Sequence, residues 1–118
     1  MENRNNNPYN WTKFYRTLCR QGPDLLLGVN ESLLEIIKMS ASTTDMFWSE
    51  GLEELLAAGV ANGDMRAGVI SALELWRENV LNTLYSNFGI ELDWEMVHID
   101  YASSVIGELV KAASIYKS

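Results

Sequence analysis

Glu95 and His98 are the residues whose spacing most directly suggests chemistry. A Glu-x-x-His at i and i+3 sets a carboxylate and an imidazole on one side of a helix, as in di-metal carboxylate bundles. Such sites need the pair on two helices and a further glutamate from each of two others. This chain has one histidine, so only a dimer that joins two copies of His98 would complete a centre, with Glu35, Glu53 or Glu74 as the extra ligand. That defines one alternative, a dimeric metal-binding bundle using Glu95 and His98. Acids are expected at a helix start from the macrodipole alone. The preferred expectation is therefore no metal and no cofactor, with His98 half-exposed beside Trp94 and Tyr101.

Other catalytic patterns fail by absence. The chain has no Gly-x-Ser-x-Gly elbow, phosphate-cradling glycine loop, dinucleotide fingerprint or paired cysteines for zinc. A Ser-His-Asp arrangement would have to recruit distant partners for His98. Glu53 and Glu54 are adjacent, so on a helix they point about 100° apart and do not share a proton. The lone Cys19 reads as a small core residue. The expectation is a protein that is not an enzyme.

Two segments suggest binding instead. Between Tyr9 and Arg16, aromatic residues Tyr9, Trp11, Phe14 and Tyr15 alternate with Lys13 and Arg16, a mixture that elsewhere suits single-strand nucleic acid. In this acidic chain the aromatics are expected first to anchor the helix to the bundle, with docking of a partner or second subunit as the alternative. Between Asp24 and Asp64 there are eight acids against one base, Lys38. The whole chain carries −7; residues 1 to 20 hold +3, so the remainder holds −10. Such a body repels phosphates and anionic membrane surfaces and attracts basic proteins. Mimicry of nucleic acid would need denser charge, given one phosphate per ~1.7 Å of duplex.

The elements that must position these residues are helices. A first helix begins after Asn10 as N-cap, buries Trp11, Phe14, Tyr15, Leu18 and Cys19, and stops at Gly22-Pro23. A second carries Leu25, Leu26, Val29, Leu33, Ile36, Ile37 and Ser40, starting at Pro23 or at Asn30. A third, capped by Thr43 or Thr44, runs to about Asn62 and presents Trp48, Leu52, Leu55, Leu56, Gly59 and Val60. Gly63 closes it and Asp64 opens a fourth, whose stripe of Met65, Val69, Ala72, Leu73, Trp76, Val80, Leu84 and Phe88 ends at Gly89, with Ile70, Leu81 and Tyr85 widening it. Asp93 is expected to cap a fifth, with Trp94, Val97, Tyr101, Val105, Leu109, Ala112 and Tyr116 inward. The small residues Ala57, Ala58, Gly59, Ala61 and Gly63 form a track along which another helix can approach closely.

The expected fold is all-α, a compact antiparallel bundle of four main helices plus a short N-terminal helix. It occupies residues 10 to 118 behind a polar tail at 1 to 9. No apolar run approaches the ~18 residues of a membrane span and no signal-peptide core follows the polar start, so a cytoplasmic protein is expected. Function is expected to be a non-enzymatic protein-binding module: an inhibitor of the immunity or anti-defence type, a chaperone or an adaptor, docking on a basic protein surface. The residues expected to bind are Glu50, Glu53, Glu54, Tyr9, Trp11 and Tyr15. A third reading is a homo-oligomer assembled through aromatic and methionine residues left outside the core.

Overall fold

The computed structural model describes residues 11–43 and 50–114, with the backbone alone for Trp11, Thr12, Ser42, Thr43, Glu50, Trp94 and Ser114. The protein is all-α: among the described residues, five α-helices pack together beside one two-stranded ribbon. Helix α1 (Trp11–Gln21) buries Phe14, Thr17 and Leu18, and the Thr17 hydroxyl donates back to the Lys13 carbonyl at 2.9 Å. Proline has no N–H to continue the helix, so Gly22–Leu25 tightens into a 3-10 turn. Pro23 therefore belongs to this turn and not to the first turn of α2. A Cβ on Gly22 would lie 2.9 Å from Leu18 Cδ1 and 3.1 Å from Trp76 Cη2, so the indole lies directly against this backbone.

Strand β1 (Leu26–Leu27) follows, then Gly28 with φ +87°, a left-handed value suited to glycine. Asn30 caps α2 (Glu31–Thr43): its Oδ1 accepts from the Leu33 N–H at 2.9 Å. Of the two starts the sequence allowed, the later one is adopted, because the intervening residues pair in the ribbon. Leu33, Ile37, Ser40 and Ala41 form the buried face of α2.

Helices α3 (Glu50–Ala61) and α4 (Met65–Phe88) form a tight hairpin. Gly63 turns at φ +74°, the Asp64 N–H donates to the Gly59 carbonyl at 2.8 Å, and Asp64 Oδ1 accepts from the Ala67 N–H at 3.1 Å. The start of the third helix at Thr43 or Thr44, and Trp48, lie outside the described residues or side chains. In α4, Val69, Ala72, Leu73, Trp76, Val80 and Leu84 are all buried, each large side chain contributing about 1.5–3 kcal/mol. The expected stripe fails at its far end, where Tyr85 is 60% and Phe88 47% exposed because the helix runs past the elements that cover it.

The fifth helix begins later than the sequence suggested. Asp93 caps only a 3-10 turn (Trp94–Met96), its Oδ1 accepting from the Glu95 N–H at 3.1 Å. Val97 is then extended, and strand β2 (His98–Ile99) pairs antiparallel with β1, Leu26 opposite Ile99 and Leu27 opposite His98. The Asp100 N–H extends the ladder to the Leu25 carbonyl at 2.8 Å. Helix α5 (Ser104–Ser114) is capped by Ser103, whose Oγ accepts from the Val105 N–H at 3.1 Å, and buries Ile106, Leu109, Ala112 and Ala113 against α1 and α4. The molecule is 18 Å across its shortest axis, less than two helix diameters, so its helices keep one face in solvent.

Candidate functional site

The most organised polar cluster lies where α4 meets the segment 97–101. That segment carries β2 and enters a turn at Tyr101, so its carbonyls on the α4 side have no helical partners and need donors. Arg77 supplies one to Val97 O at 2.8 Å and Arg66, three turns earlier on the same helix face, supplies another to Tyr101 O at 3.1 Å. The Tyr101 hydroxyl in turn donates to Glu74 Oε2 at 2.8 Å. Burial of the phenol, with the Glu74 carboxylate accepting its proton and repelling a second negative charge, pushes the Tyr101 pKa from 10.0 up to about 12. A tyrosine held protonated this firmly is a hydrogen-bond donor, not a base at neutral pH. The cluster reads as a clamp between α4 and the ribbon.

The same contacts shape the surface charge. Of the bases beyond residue 20, Arg66 and Arg77 are engaged with backbone carbonyls, and Lys38 lies 3.0 Å from Asp24. Glu31, Glu35, Glu54, Glu78, Glu91, Glu95 and Glu108 are exposed. The acidic excess of the sequence is thus carried on the outside of α2, α3, α4 and α5 and on the segment between α4 and β2.

Among the described residues, those expected to bind a partner lie on α1 and α3. Glu53 is half-buried and Glu54 exposed on α3, while Glu50 begins that helix with its side chain outside the described set. Tyr15 is half-buried on α1, Trp11 opens α1 with its side chain likewise outside that set, and Tyr9 lies outside the described residues. Helix α1 packs chiefly on α5 and α2, whereas α3 packs on α4.

The metal motif loses its premise. Glu95 sits in a 3-10 turn and His98 in β2, so the i, i+3 spacing no longer places the two on one helix face. His98 is exposed, not half-covered. Its neighbours alternate, with Met96 and His98 out and Val97 and Ile99 in, which is the period of a strand. Among the described residues no group of three or more His, Cys, Asp or Glu side chains is placed to hold a metal ion.

Among the described residues, two open grooves are formed along α2 and at the end of α4. One of about 420 Å3 is lined by Glu31, Ser32, Leu34, Glu35 and Lys38 along α2. The other, about 270 Å3, is lined by Leu81, Asn82, Tyr85, Glu91 and Leu92 at the end of α4. Sequence reasoning missed the second because it assigned Leu81 and Tyr85 to the buried face. The signal was present in Asn82 and Glu91, polar residues beside that apolar edge. No family model, curated protein or solved structure matches the chain.

Proposed function

We propose that the protein is a non-enzymatic binding module, an inhibitor, chaperone or adaptor, that docks on a basic surface of another protein. The observation that carries this reading is the disposition of charge: among the described residues, Lys38, Arg66 and Arg77 have partners within the chain, while Glu31, Glu35, Glu54, Glu78, Glu91, Glu95 and Glu108 are exposed. Exposed acids add little to folding but act together on an approaching cation, raising the rate of encounter. The thin shape supports the reading further, since it leaves broad helix faces for contact.

The test is association kinetics with a captured partner across a salt series, for wild type and for the triple variant Glu50→Lys, Glu53→Lys, Glu54→Lys. Slower association of the variant, by about tenfold or more, with an unchanged melt is expected, as is weakening of wild-type binding with salt. Equal, salt-insensitive rates would refute the electrostatic reading. A second reading, self-association, is favoured by exposed Leu27, Met39, Tyr85, Phe88 and Met96, and light scattering decides it.

A further inference from the structure

We propose that the groove at the C-terminal end of α4 seats a lysine or arginine from an amphipathic segment of the partner protein; the proposal rests on the basic-partner reading above and gives it a site. Helix α4 meets α3 at Gly68 and then continues for twenty residues, so its last turns stand clear of that hairpin contact. Gly89 closes it at φ +67°, its N–H donating to Tyr85 O at 3.0 Å, and the Ile90 N–H donates back to Leu84 O at 3.1 Å. This reversal brings Glu91 and Leu92 beside Leu81, Asn82 and Tyr85.

Leu81 and Leu92 are partly buried and packed against the core, so they form a fixed apolar floor. Tyr85, 60% exposed, forms a wall, and Asn82 and Glu91 are exposed at the rim. The last turn of α4 contains no basic residue, so the helix supplies no cation of its own to the negative end of its dipole. An alkyl stem carrying a cation satisfies each part: the stem covers the leucines, and the charge meets the Tyr85 ring, the Glu91 carboxylate and the helix end. A second copy docked isologously on this groove is disfavoured. Each copy carries −7, and an isologous contact would face Glu91 with the other copy's acids.

The probe is an amphipathic helical peptide of leucine and arginine titrated into isotopically labelled protein, with the same peptide bearing glutamate for arginine as control. Saturable amide shifts centred on Leu81, Asn82, Tyr85, Glu91 and Leu92 are expected. Tyr85→Ser and Glu91→Lys, both at exposed positions, should each weaken binding by about tenfold or more with an unchanged melt, the loss expected for an interface anchor. Glu53→Lys with Glu54→Lys should leave it unaltered. Shifts centred on α3 and abolished by that double variant would overturn the groove while leaving the basic-partner reading intact. Equal binding of the acidic peptide, or no saturable binding of the basic one, would overturn both.

Discussion

Gly59 and Gly68 face each other at the crossing of α3 and α4 with their backbones in direct contact. A Cβ on Gly59 would lie 2.7 Å from Gly68 Cα and 2.9 Å from Asp64 O; a Cβ on Gly68 would lie 2.9 Å from Gly59 Cα and 3.1 Å from Leu55 O. The obstacles are backbone atoms, which cannot swing aside as a side chain can. The helices are therefore held at a separation that glycine alone permits on both sides.

Alanine at either position should destabilise the protein by about 1–3 kcal/mol, the usual cost of overpacking, despite alanine's better helix propensity. Gly107 in α5, where an added methyl group would meet no neighbouring atom within 4 Å, is the control. Gly107→Ala should stabilise by about 0.4–1 kcal/mol through the unfolded chain. Urea denaturation of the three variants checks both signs; a neutral Gly59→Ala would mean that the hairpin is looser than its geometry.

Tyr101 gives the protein an alkaline limit. Its folded pKa is raised, so the unfolded chain loses the phenolic proton first, near 10, and the folded chain only near 12. Stability from this group is thus fully present below about pH 10 and falls as pH rises from there to about 12. Tyr101→Phe should flatten that part of the stability profile relative to wild type, and tyrosinate absorbance should show one late-titrating phenol. A wild-type profile that superimposes on the variant's would show that the Glu74 contact does not persist in solution.

His98→Ala should change stability by no more than about 0.5 kcal/mol, as for most exposed positions. Purified protein should carry no stoichiometric iron, manganese or zinc that depends on this residue. Elemental analysis of both forms is sufficient; metal lost on substitution would restore a centre built on Glu95 and His98.

Much of the helical frame was legible because its punctuation is local. Asp64, Gly63 and Gly89 act within a few residues of themselves, and each does what its chemistry requires. The segment 93–103 was misread because two periods coincide there. Val97, Tyr101 and Val105 fit a helix, but Val97 and Ile99 also alternate with Met96 and His98, and pairing with β1, far off in sequence, decided between them. The small-residue track had the right composition and mostly the wrong members. Ala58 and Ala61 face solvent, and Gly59 meets Gly68, which the track did not contain. The clamp from Arg66 and Arg77 left no trace in the sequence, since its acceptors are backbone carbonyls that any residue provides.

The ribbon also bears on the order in which the chain assembles. Leu26 and Ile99 are about seventy residues apart, so their pairing closes a long loop and must be preceded by most of its entropic cost. The α3–α4 hairpin, joined by a three-residue turn, needs no such search. Gly28 makes the closure exacting, because a Cβ there would fall on the Met96 carbonyl oxygen. The consequence is a division into an early local nucleus and a late topological lock, visible in pulse-labelled amide exchange as protection of Leu73 before Asp100.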